Sequence, residues 1–250
     1  MKHKFSFITL LLLATISMAK GHRVLFIGDS ITDGAWGNSN VWNASTDERN
    51  QWDMNHIYGH GYMMITASHY QALYPEAGWT FWNRGISGNS LADLKDRWQH
   101  DVLELQPDVV SILIGTNDVE QAMNEGRTID TEVWGNQYRQ LLDMVLDQNP
   151  DTKFVLCTPF VAKAGQRGEA NNYDQREQMI ASLVNIINII CQDYPSATLV
   201  PFDKLVQQTI CSTPNLPVSY WIWDGIHPTP AMHYRMAELW MNTCTFLLDQ

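Results

Sequence analysis

Basic side chains are scarce in this chain. Its 16 lysines and arginines stand against 27 aspartates and glutamates, a net charge of −11. So acidic a surface repels nucleic acid and anionic membrane, which removes both from the expected partners. Cysteine is scarce too: Cys157, Cys191, Cys211 and Cys244 match no zinc-ligand spacing, and four cysteines allow three full pairings. Cys157 lies in the apolar run KFVLCTPF and reads as a buried thiol; a Cys191–Cys211 bridge is one pairing left open, since sequence alone does not fix connectivity. Internal repeats, low-complexity tracts and linkers are missing, so one domain is expected over residues 20–250. A second long apolar segment is missing as well. The first, Phe5 to Ile16, follows Lys2 and Lys4 and precedes the small-x-small stretch Ser17-Met18-Ala19. Those are the length and flanks of a secretory signal peptide (residues 1–19) rather than of a membrane span. Cleavage after Ala19 would leave 14 basic side chains against 27 acidic ones in a secreted or periplasmic protein, where cysteines meet an oxidising environment.

What is present is a rhythm. RVLFIG, WTFWNRG, DVVSILIG, KFVLCTP and ATLVPF are short apolar runs bounded by turn residues. Runs apolar throughout suit strands covered on both faces, as in a parallel sheet. Helical periods separate them: Met179, Leu183, Ile186, Ile187 and Ile190 share one face, as do Met232, Met236, Leu239, Trp240, Thr243 and Leu247 after Pro228 and Pro230. Strand then helix, repeated, means an α/β fold with right-handed crossovers. Residues 35–61, AWGNSNVWNASTDERNQWDMNHIYGHG, break the rhythm with no sustained period and a wealth of Asn, Trp and Gly. A long irregular segment in a compact domain is usually functional. This one follows the first strand directly, so it is expected over the C-terminal edge of the sheet, where open α/β folds bind ligands. The Asn43-Ala44-Ser45 sequon within it is read as incidental.

That first strand runs into GDSITDG, and Ser30 is either a helix cap or a nucleophile. A nucleophilic serine needs a base and donors for the oxyanion. WDGIHPTP supplies a base: Asp224 and His227 stand three residues apart on a loop before the last helix, so the carboxylate can take the Nδ1 proton and turn Nε2 toward Ser30. Of the other histidines, His69, His100 and His233 fall in helical patterns and His22 precedes the first strand, whereas His56 and His60 sit in the irregular segment, open to a substrate role. Gly88 in RGISGNS can offer its backbone N–H and Asn117 in GTND its side-chain amide. Each is an ordinary turn residue alone. Together, three successive strands ending in Ser, Gly and Asn place all of these groups on one sheet edge.

The ordered blocks GDSITDG, RGISGN, IGTND and WDGIHP resemble the SGNH branch of the GDSL esterase/lipase family over the whole chain after the leader. The resemblance implies a flavodoxin-like three-layer α/β/α sandwich around a five-stranded parallel sheet. It also implies catalytic Ser30, Asp224 and His227, with an oxyanion hole from the N–H of Ser30, Gly88 and Asn117. No G-x-S-x-G elbow is present, which excludes the ordinary α/β-hydrolase, and Ser87 is the rival serine without such neighbours. Within the family the chain looks most like bacterial acetylxylan-esterase-type members, which implies a serine esterase that needs no cofactor or metal and removes O-acetyl groups from plant carbohydrates. Asp29, Trp36, Trp42, Trp52, His60, Trp221 and Trp223 are the candidate substrate contacts. Indole faces stack on sugar rings but also fill cores, so core packing is the first reading for any one tryptophan and at least one sugar platform is expected among the five. The rival readings are a lysophospholipase or thioesterase acting on lipid, and a catalytically silent carbohydrate-binding protein. Further copies of the same chain are the other partner left open.

Overall fold

A computed structural model describes residues 21–39, 41–165 and 172–248; the expected signal peptide lies outside them. The five apolar runs form the strands β1 (Arg23–Gly28), β2 (Thr80–Gly85), β3 (Val109–Leu113), β4 (Lys153–Cys157) and β5 (Ala197–Val200). They make one parallel sheet in the order β2-β1-β3-β4-β5. This is the doubly wound flavodoxin-like order, whose direction reverses at β1 and opens a crevice beyond the strand ends there.

Side chains alternate across the sheet, and both faces are covered. Val24, Phe26, Val109 and Val155 point to one side, against α2 (Tyr62–Leu73), α7 (Phe202–Ser212) and α8 (Pro230–Thr243). Leu25, Ile27, Val110 and Phe154 point to the other, against α3 (Leu91–Asp101), α4 (Thr116–Asn124), α5 (Thr131–Gln148) and α6 (Tyr173–Asp193). That two-sided burial is why the strands are apolar at most positions on both faces. Removing one such buried side chain to alanine costs about 2–5 kcal/mol.

The helix over Met179–Ile190 forms as its period requires, with Leu183, Ile187 and Ile190 buried. The last helix stops earlier than its period suggested. Pro230 occupies its first turn, where a missing N–H is harmless, but the helix ends at Thr243 and Leu247 is buried from a separate 3-10 turn, Thr245–Leu247. The four thiols are free, Cys157 and Cys244 buried and Cys211 exposed, so the Cys191–Cys211 bridge left open by the sequence is not formed. Among the described residues, no helix is long and apolar enough to cross a membrane.

Candidate active site

β1 ends at Gly28, packed so closely on β3 that an added Cβ would stand 2.2 Å from the Leu113 carbonyl oxygen. The chain then turns into a single helical turn, α1 (Ser30–Asp33). The capping role belongs to Asp29, whose Oδ1 accepts the Ile31 N–H at 3.0 Å. Ser30 is therefore relieved of it. Its hydroxyl lies 2.8 Å from Nε2 of His227, and Nδ1 of the same ring lies 2.7 Å from Oδ2 of Asp224.

The loop carrying the pair is tightly made. Trp223 N–H donates to the His227 carbonyl (3.1 Å), and Ile222 bridges Pro228. The other Asp224 oxygen accepts the N–H of His227 (2.8 Å) and of Ile226 (3.0 Å). Burial pushes the Asp224 carboxyl up, but the His227 ring and these two N–H groups outweigh it and hold the group below the usual carboxylate range. It stays ionised to support an imidazolium. Asp29 behaves oppositely: it is buried, and loss of water raises its carboxyl to about 7, against the opposing pull of the Ile31 N–H and of His227. His233 is a part-buried residue packed beside Tyr62. Burial lowers it to about 4, and its Nδ1 accepts the Tyr62 N–H at the start of α2.

Gly88 and Asn117 follow the ends of β2 and β3, strands whose last residues register with Gly28. Gly88 sits at φ +85°, which favours glycine, and the rim of the exposed Trp42 ring stands 2.9 Å from where a Cβ would be. The Asn117 amide donates to the Asn89 carbonyl at 3.0 Å, tying the two turns together, and an amide nitrogen has a second hydrogen to offer.

The expected substrate contacts separate by burial. Trp42 is 69%, Trp52 92% and Trp223 60% exposed, and Trp223 stacks on the His227 ring at 6.2 Å. His60 is exposed, its Nδ1 3.1 Å from the Gly34 carbonyl. Three expectations need correction. Asp29 is buried in its capping role. Trp36 is buried between the guanidinium groups of Arg49 (4.8 Å) and Arg84 (5.2 Å), with its N–H given to the Gly85 carbonyl. Trp221 is buried too, under Arg235 and donating to Thr213. None of the three presents a face to a ligand.

Sequence reasoning also passed over Arg49 and Asp33, a buried pair beside the site, and weighed Ser87, which bonds to that pair, only as a rival nucleophile. The available signal was Arg49 itself, the lone Lys or Arg in residues 35–61.

A hydroxyl, an imidazole and a carboxylate in series, at the carboxyl edge of a parallel sheet, define a class: the ester hydrolases that work without a G-x-S-x-G elbow. The chain belongs to the GDSL-like lipase/acylhydrolase family, whose model matches residues 26–235, and it is a carboxylic ester hydrolase. It is 30% identical to the acetylxylan esterase of Geobacillus stearothermophilus, over 92% of this chain and 97% of that one. A crystal structure of a variant of that esterase superposes with a TM-score of 0.70 at 30% identity, covering 92% of this chain and 97% of that one. A GDSL-like lipase from Parabacteroides merdae superposes with a TM-score of 0.76 at 31% identity, covering 93% of this chain and 99% of that one. Solved catalytic mutants of the Geobacillus esterase include a serine, an aspartate and a histidine each replaced by alanine.

Proposed function

We propose that the protein removes O-acetyl groups from carbohydrate, acetylated xylan or its oligomers, through an acyl-enzyme on Ser30. The observation that carries this reading is the unbroken series Ser30 Oγ, His227 Nε2, His227 Nδ1 and Asp224 Oδ2, with links of 2.8 and 2.7 Å. His227 takes the Ser30 proton as Oγ attacks the acetyl carbonyl, and Asp224 stabilises the imidazolium. Negative charge developing on the carbonyl oxygen meets the N–H of Ser30, the N–H of Gly88 and the free hydrogen of the Asn117 amide. As the tetrahedral adduct collapses, His227 returns the proton to the departing sugar hydroxyl. Water then attacks the acetyl-serine, giving its proton to His227, and acetate leaves as Ser30 regains that proton.

Exposed Trp42 and Trp223 flank Gly88 and His227, which suits stacking on a sugar rather than housing a long acyl chain. The acetylxylan esterase relative supports the same substrate class. Export through the leader at residues 1–19 is part of the proposal, because a polysaccharide substrate lies outside the cell. The experiment is to measure acetate released from acetylated xylo-oligosaccharides alongside hydrolysis of acetyl and octanoyl esters of 4-nitrophenol. Acetate release with acetyl preferred over octanoyl is the expected result; octanoyl preference without release from the oligosaccharides would hand the site to a lipid ester.

A further inference from the structure

Arg49 is buried and spends its whole guanidinium inside the protein. Nη1 and Nη2 clasp the two Asp33 oxygens at 2.7 and 3.0 Å, Nη1 also donates to the Trp36 carbonyl (2.9 Å), and Nε donates to the Ala44 carbonyl (2.9 Å). Asp33 Oδ2 accepts two further bonds, from the Ser87 N–H (2.9 Å) and the Ser87 hydroxyl (2.8 Å). Asp33 ends the helical turn that Ser30 opens, and Ser87 precedes Gly88. One carboxylate therefore joins the nucleophile's helix, the turn that carries the Gly88 N–H and the irregular segment 35–61.

A carboxylate held by a two-pronged guanidinium has a fixed orientation. Two bonds from Ser87 to one of its oxygens fix that residue in turn, and the peptide plane that follows Ser87 bears the Gly88 N–H. The close approach of α1 to β2 belongs to the same arrangement: an added Cβ on Gly85 would stand 2.3 Å from the Asp33 nitrogen.

We propose that Asp33, Ser87 and Arg49 are positioning residues that aim the Gly88 N–H at the developing oxyanion and, through the same clasp, register segment 35–61 against Ser30. The inference rests on the ester-hydrolase reading with Ser30 as nucleophile. An oxyanion donor acts on the transition state far more than on the bound ester, so a misaimed donor lowers kcat and leaves KM nearly unchanged.

The test compares Ser87→Ala, Ser87→Thr, Arg49→Lys and Ser30→Ala in the full chain, with 4-nitrophenyl acetate as substrate and phenylboronic acid as a tetrahedral mimic that adds to a serine hydroxyl. Ser87→Ala should lower kcat by about 10-fold with KM within about twofold, and weaken the boronate by a similar factor. Ser87→Thr, which keeps the hydroxyl, should retain most of kcat. Folded Arg49→Lys should lose kcat like Ser87→Ala; should it not fold, the Ser87 pair decides. Unchanged kcat in Ser87→Ala, a loss confined to KM, or equal losses in the alanine and threonine variants would overturn the proposal. Ser30→Ala separates the two readings: turnover retained there refutes the nucleophile, whereas a dead Ser30→Ala beside a fully active Ser87→Ala refutes only the positioning role.

Discussion

The strand-end edge and the segment that follows it are held in place by different means. Ser30, Gly88 and Asn117 follow β1, β2 and β3, whose register is set by backbone hydrogen bonds that any apolar sequence of the right pattern can make. Among the described residues of 35–61 there is no strand and only two 3-10 turns, Trp36–Asn38 and Thr46–Glu48. Side chains tie them down: the buried Arg49 on Asp33, the Trp36 N–H on the Gly85 carbonyl and the Asn83 amide on the Tyr58 carbonyl. Breaking a buried ion pair by removing one partner costs about 3–5 kcal/mol. The difference teaches a division of labour. The candidate catalytic groups sit where backbone pairing fixes distances, and exposed Trp42 and Trp52 sit on a segment held by side chains.

If the edge carries the chemistry, Ser30→Ala should be the most damaging change. Turnover of 4-nitrophenyl acetate should fall by on the order of 10³-fold or more, with the melting temperature nearly unchanged. Normal turnover in that variant, with Ser87→Ala dead, would move the nucleophile to Ser87. Asn117→Ala comes next: kcat should drop by roughly 10²–10³-fold with little change in KM. A change in KM alone would make Asn117 a contact of the bound ester.

Smaller effects concern the exposed indole faces, Trp42 and Trp52 on the segment and Trp223 beside His227. Alanine at Trp42, Trp52 or Trp223 should reduce kcat/KM on acetylated xylo-oligosaccharides by about 10-fold, within the range of one lost stacking contact, and the small ester by less than about twofold. Trp36→Ala should instead lower the melting temperature and both activities together, because that ring is packed under Arg49 and Arg84.

The smallest effect concerns what the edge sacrifices in stability. Asp29 titrates near 4 in the unfolded chain and at about 7 in the folded protein, chiefly through burial. Between those values the folded state binds the extra proton. Its contribution to stability is therefore fully present below about 4 and lost as pH rises through 7. Asp29→Asn keeps an oxygen for the Ile31 N–H without the charge, so it should raise the melting temperature by a few degrees at pH 8 and by less at pH 5. An equal shift at both pH values would place the gain elsewhere.

The sheet was legible because its strands are buried on both faces and so read as unbroken apolar runs. The meeting of Ser30 with His227 and Asp224 was legible because parallel strands bring their ends to one edge. Which residue caps α1 was not, since Asp29 and Ser30 are both good caps and only the backbone at Asp29, in extended conformation, decides. The tryptophans were illegible for a related reason. Trp36 and Trp42 are the same residue type in one aperiodic segment, and what buries one is a guanidinium from Arg49, a contact that no local pattern announces. The end of the last helix, at Thr243 rather than Leu247, escaped because an apolar period continues through a 3-10 turn.

The division of labour is tested most directly by one ratio, kcat/KM on acetylated xylo-oligosaccharides over kcat/KM on 4-nitrophenyl acetate, measured for wild type, Asn117→Ala and Trp42→Ala. Asn117→Ala should leave the ratio unchanged while both values fall by roughly 10²-fold or more. Trp42→Ala should lower the ratio by about 10-fold, through the oligosaccharide alone. A ratio that moves in Asn117→Ala and holds in Trp42→Ala would contradict the account.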